Sequence, residues 1–280
     1  MNFAREDVCD FAWNFLEDLL QNHDIAYLKW DMNRYLCEVS WPEVPEDEQR
    51  EVWTRYVYNV HKLFRRIQER FPNVLLEDCA SGGGRVDLGM LRFSDLVAPS
   101  DCGDPLDKLK IYEGYTQVFV PKSAGTWFGD NPADPRARHT PDAFRIHEAM
   151  LGSCSLGMNL LVKEPHELEE LARVVSLYKD LREIIQHGVQ YRLMSIYSDV
   201  MSAYEYAAPD KSEAVLFTFG KNMQFYRPLP RIRLMGLEPN RLYRVNGGKA
   251  VSGNALMSVG IEPNLRGDYD SKLYRILPAE

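Results

Sequence analysis

No apolar run in these 280 residues reaches the roughly 18 that a membrane-spanning helix requires, so a bundle of spanning helices is excluded. The opening residues carry Arg5, Glu6, Asp7 and Asp10 where a secretory leader would have an apolar core, and a cytoplasmic location is expected. Cysteine is sparse: Cys9, Cys37, Cys79, Cys102 and Cys154 are odd in number and lie far apart, without the close pairs of zinc or redox motifs. Reduced thiols are expected. His139, His147 and His187 are unclustered, which points to structural roles and to no metal centre. Positive charge is also scarce: with a net charge of −8 and no basic stripe, the chain has little to offer nucleic acid or an anionic membrane. Neither a Walker lysine–serine pair nor spaced dinucleotide glycines occur, so no nucleotide cofactor is implied. Fixed-period repeats and low-complexity stretches are absent too.

What remains is an ordinary globular composition, 45% hydrophobic, with enough core formers for one large barrel domain or two smaller ones. Val8, Phe11, Ala12, Phe15, Leu16, Leu19 and Leu20 recur at helical spacing over residues 6–20, and a strand is predicted at 25–30. The period repeats over 46–71, followed by strands at 74–76 and 95–98. A helix at 105–115, a strand at 117–120, a helix at 141–151 and an apolar segment at 156–162 continue the alternation, which implies parallel strands with crossover helices. A long helix over 164–185 has its acids early and Lys179 and Arg182 late, as the helix dipole favours, with His187-Gly188 as its stop. Beyond about residue 191 the pattern becomes short alternating runs, such as 214–218 and 241–245. Turns at Asn246-Gly247-Gly248 and Gly267-Asp268 separate them, which predicts a small antiparallel β domain.

Two carboxylates stand where catalytic side chains sit in α/β barrels, at the C-terminal tips of strands. Asp31 closes the run Tyr27-Leu28-Lys29-Trp30, and Asp101 follows Leu96-Val97-Ala98 by three residues. Between them, Ser81-Gly82-Gly83-Gly84 permits close backbone approach, either to a ligand or merely to make a tight turn. Each aspartate also has a plainer reading as a cap or salt-bridge partner. Asp104-Pro105 reads as a helix cap with proline at the first helical position. Trp30, Trp41 and Trp127 are core fillers or stacking platforms, with Trp127, assigned to a loop at 123–131, the better platform. A strand's two-residue period puts Lys29 on the face of Asp31, where its charge would favour the carboxylate.

Lys29-Trp30-Asp31-Met32-Asn33-Arg34, Cys79 to Arg85 and Ser100-Asp101-Cys102-Gly103-Asp104 together resemble the C-terminal part of glycoside hydrolase family 36, the bacterial α-galactosidases. Arg145 to Met150, Tyr191-Arg192-Leu193 and Gly267 to Ser271 extend the resemblance over nearly the whole chain. It implies an α/β fold, with strands 4 to 8 of a TIM (β/α)8 barrel at residues 1–190 and a small antiparallel β-sandwich at 191–280. Strands 1 to 3 would be absent. It implies retaining hydrolysis of α-galactosides, with Asp31 as nucleophile and Asp101 as acid/base, their oxygens about 5 to 7 Å apart. Lys29 and Asn33 would bond sugar hydroxyls, and Cys79, Ser81 and Gly82 would line the pocket, Ser81 replacing a common family glycine. No cofactor is implied. The alternatives are a non-catalytic fragment acting in assembly or sugar binding, and a related transglycosylase or α-N-acetylgalactosaminidase. A homo-oligomer or a complementing N-terminal segment is expected to cover the open strand edges.

Overall fold

Residues 1–132, 134–197, 200–224 and 227–279 are described by the structure, a computed structural model. They fall into two compact units, Met1–Asp101 and Cys102–Glu280.

In the first unit, α1 (Glu6–Asn22) opens with two acids at its positive end and buries Ala12, Trp13, Leu16 and Leu20. Phe11 and Phe15, expected on that face, are 66% and 61% exposed. The helix carries more apolar residues than one stripe accommodates, and Trp13 takes the inward place, its ring 6.5 Å from that of Phe71. Strand β1 (Tyr27–Asp31) alternates strictly, with Tyr27, Lys29 and Asp31 exposed and Leu28 and Trp30 turned toward the helices. The ring of Trp30 lies 5.5 Å from both Phe3 and Phe64 and so belongs to the core. The single helix expected over 46–71 is a 3-10 turn, Glu46–Glu48, followed by α2 (Glu51–Arg70). Gln49 marks the break, its side chain bonding the backbone of Trp41 and Val44 to close the preceding loop. Then come β2 (Leu75–Cys79), the short α3 (Leu88–Leu91), capped by Asp87, and β3 (Leu96–Val97). The three strands are parallel in the order β1-β2-β3, with Asp31 level with Cys79 and Trp30 level with Asp78.

The second unit begins with α4 (Pro105–Tyr115), where Asp104 caps as its spacing implied, accepting the Leu106 and Asp107 amides at 3.1 Å. The strand expected at 117–120 is a turn: Val118 and Val120 are exposed and Pro121 starts a 3-10 turn. The strand is instead β4 (Gly125–Phe128), joined through α5 (Asp142–Ala149) to the parallel β5 (Ser153–Leu156). Helix α6 (Pro165–His187) starts on a capping box of Glu164 and Glu167 and stops at Gly188. The rest comprises β6 (Val189–Met194), β7 (Met201–Ala207), β8 (Ala214–Gly220), β9 (Leu242–Val245), β10 (Ala250–Ser252), α7 (Gly253–Ser258) and β11 (Ser271–Pro278). Among the described residues these strands form one antiparallel sheet, β10-β9-β11-β8-β7-β6, in place of the expected two-sheet sandwich. Its second layer is irregular. Ile232, Leu234, Leu237, Leu256, Ile261 and Leu265 pack on the face carrying Ala203 and Leu216. Tyr204, Tyr206, Phe217 and Phe219 fill the other face against Tyr112, Phe144 and His147. Strands β7 and β8 are therefore buried on every residue.

Candidate active site

Asp31 ends β1 with its carboxylate exposed and surrounded by donors from three directions. Burial opposes its charge, but the Cys79 thiol, the Asn33 side chain and the backbone amides of Met32 and Ser81 outweigh that and hold its pKa below the usual aspartate value. These donors are neutral. Lys29, expected to supply the stabilising charge, shares the face of Asp31 but pairs with Glu77 at 3.1 Å, in register with it on β2. Tyr27 also hydrogen-bonds Glu77. Desolvation works against the Lys29 ammonium, and Glu77 more than restores it, so Lys29 stays charged. Burial pushes the Cys79 thiol up and Asp31 adds to this, more than the Gly82 amide takes away. Cys79 therefore remains a donor to Asp31 rather than a thiolate.

The turn after β2 links the two aspartates. Ser81 has φ of +48°, its hydroxyl 3.3 Å from Asn33 Oδ1, and Gly82 follows at +78°. A Cβ on Gly82 would lie 2.6 Å from Ser100 Cα and 2.7 Å from the Asp101 nitrogen, while one on Gly83 would lie 2.5 Å from Pro99 O. The glycines serve close packing against the backbone that carries Asp101. The turn thus donates an amide to Asp31 and abuts the Asp101 main chain, and Asp101 itself is exposed. Lys29, Asn33, Cys79, Ser81 and Gly82 all belong to this one cluster at the C-terminal ends of β1 and β2.

Trp127 belongs to the second unit and lies on β4, not in a loop. Lys108 Nζ stands 4.4 Å over its ring and donates to its carbonyl at 2.9 Å while ion-pairing with buried Glu148 at 2.6 Å. That face of the indole is occupied. His147 bonds Ser271 Oγ at 2.8 Å and is structural, and the described residues contain no cluster able to hold a metal ion.

Sequence reading missed the pair behind the site. Asp78, 1% exposed, points to the side of β2 opposite Cys79 and receives Arg85 Nε at 2.8 Å and Nη2 at 2.5 Å. A carboxylate one residue from a site cysteine, with an arginine seven positions on across a glycine turn, was the available signal.

The chain matches the family described as Melibiase over residues 1–188 and the glycosyl hydrolase family 36 C-terminal domain over residues 201–276. It is 32% identical over 277 residues to alpha-galactosidase AgaA of Geobacillus stearothermophilus, covering 99% of this chain and 38% of that protein. The crystal structure of the GH36 alpha-galactosidase AgaB from Geobacillus stearothermophilus superposes with a TM-score of 0.94 at 32% identity, over 100% of this chain and 39% of that one. A variant of AgaA in complex with raffinose gives 0.93 at 31% identity, again over 100% and 39%. The chain spans about two fifths of the length of the curated relatives it matches.

Proposed function

This chain belongs to the melibiases, glycosyl hydrolase family 36, and from that premise we propose that it carries the reacting half of a retaining α-galactosidase. In this reading β1 to β5 are the last five strands of an eight-stranded barrel, and a separate β domain begins near residue 190. Asp31, ionised at neutral pH, attacks the anomeric carbon while Asp101 protonates the departing oxygen. Asp101 then takes a proton from the water that releases the sugar. Two carboxylates need unlike environments for this, one kept ionised and one able to carry a proton. The observation that supports the reading best is the turn at Ser81-Gly82, which donates to Asp31 and packs on the main chain of Asp101. Lys29 and Asn33 bond galactose hydroxyls, and Cys79, Ser81 and Gly82 form the pocket wall. The substrate is an α-galactoside oligosaccharide.

Hydrolysis of a chromogenic α-galactoside is expected to fall at least about 10³-fold in Asp31→Asn. Asp101→Asn should lose as much on substrates with poor leaving groups and less on activated ones, which need little protonation. NMR of the first product should show the α-anomer. Inversion would overturn the mechanism.

The limited share of its relatives that the chain spans favours a second reading, a sugar-binding or assembly piece without turnover. Equal background rates for the chain and its Asp31→Asn variant, with retained galactoside binding, would select it. In either case we infer that the free edge of β1 is covered by a second copy or a complementing segment, since among the described residues β1 pairs only with β2.

A further inference from the structure

Beside Asp31, where β1 and β2 end, main-chain carbonyls of both strands converge on a single side chain. That side chain is Arg85. Arg85 Nη2 donates to Trp30 O at 3.3 Å and to Cys79 O at 3.1 Å, while Nε and Nη2 bind the Asp78 carboxylate. Nη1 lies 4.0 Å from Met32 Sδ, which also accepts the Tyr56 hydroxyl at 3.2 Å. The residues immediately before and after Asp31 are thus both held by the same side chain. Cys79 O receives the Met32 amide at 3.0 Å as well, so the carbonyl of the cysteine whose thiol bonds Asp31 is fixed twice. The turn 80–84, which supplies the Ser81 amide, is tied back to the sheet at its far end by Arg85.

We propose that Arg85, clasped by Asp78, is the positioning residue for the Asp31 carboxylate, an inference that rests on reading Asp31 as the nucleophile. Arg85 is only 11% exposed and its partner Asp78 1%, so the pair works from behind the sheet end and not as a sugar ligand. A lysine cannot replace it. Acceptors on four residues, 30, 32, 78 and 79, suit the several fixed donors of a guanidinium, whereas an ammonium has three donors on a single atom. With the fork lost, the Cys79 and Ser81 donors drift from Asp31, and its carboxylate loses both orientation and stabilisation.

The test titrates the Asp31 side-chain carboxyl by carbon NMR in the 280-residue chain, assigned with Asp31→Asn, and repeats it in R85K and D78N. Lys29, Glu77, Asp87 and Asp101, the charged groups near these sheet ends, are unchanged in both variants. In R85K the midpoint should rise toward that of an exposed aspartate although the positive charge is kept. D78N should also raise it, the opposite of what removing a nearby negative charge does by itself. A purely electrostatic or merely scaffolding role predicts an unmoved midpoint in R85K, and that result overturns the proposal. If R85K does not fold, D78N decides alone, a raised midpoint supporting the clasp and an unmoved or lowered one ending it. Labelling with a mechanism-based galacto-configured fluorosugar reports separately on the nucleophile. In R85K it should slow about 10- to 100-fold with affinity changed less than about threefold, as expected for misplacement by a fraction of an ångström. Label absent from Asp31 in the unaltered chain defeats the nucleophile reading, and the titration still judges the clasp.

Discussion

Asp31 is kept ionised mainly by neutral hydrogen-bond donors, since Lys29 pairs first with Glu77 and its attraction to Asp31 is the smaller contribution. Its ionisation should therefore be little affected by salt, since screening acts on charge pairs across solvent far more than on short hydrogen bonds. His147 offers a second test at this scale. Burial, with Lys272 nearby and Asp270 opposing, lowers its pKa from 6.5 to about 4. The fold thus prefers the neutral ring, a contribution fully present above pH 6.5 and lost as pH falls through about 4. It amounts to about 3 kcal/mol at roughly 1.4 kcal/mol per unit. Melting temperature should decline across this window, and His147→Gln, which can still bond Ser271, should flatten the decline. An equally steep profile in the variant would discount His147 as its source. Both aspartates were legible in sequence because strand-end carboxylates occur in recognisable strings. Arg85 was not, since its role depends on acceptors at residues 30, 78 and 79 that only folding gathers.

Among the elements, α4 has the most explicit start signal. Asp104 accepts from two helical amides and also from the Arg138 amide at 3.0 Å and its Nη1 at 2.7 Å. Asp104→Ala should cost about 1 to 2 kcal/mol through the cap alone, read as a lower urea midpoint at unchanged slope. Asp104→Asn, which keeps an acceptor, should lose less. Helices α4 (Pro105–Tyr115) and α6 (Pro165–His187, expected over 164–185) were legible because caps, proline and terminal glycine act locally. The strand misplaced at 117–120 shows the limit of alternation. Val118 and Val120 alternate in sequence yet are exposed, while Gly125–Phe128 has little apolar pattern but finds a partner in β5. Sheet membership depends on a neighbour remote in sequence, which a short window does not contain. The second layer of the C-terminal sheet was hidden for the same reason. Buried Glu205 holds that layer by accepting the Met235 and Gly236 amides at 2.7 and 3.0 Å, with no periodic pattern to announce it.

For the whole molecule, the net charge of −8 and a pI near 5.4 mean that electrostatic repulsion between copies fades under mild acid. Phe11, Phe15, Leu161 and the edge of β1, which has no strand partner among the described residues, supply apolar and hydrogen-bonding surface for association. Sedimentation velocity should show a coefficient that rises with concentration, more steeply at about pH 5.5 than at about pH 8. A single monomer species across both conditions would remove the case for a second copy on that edge. The packing of Gly82 on the main chain of Ser100 and Asp101 has a final consequence for such an enzyme. In the proposed mechanism, the bare thickness of one peptide at this seam separates the turn that donates to Asp31 from the main chain that carries Asp101. Retention and inversion differ by only a few ångströms in the gap between the two acids. A single methyl group inserted at this seam would press on the Asp101 main chain and on the turn that serves Asp31 together, so on that reading both acids would shift at once.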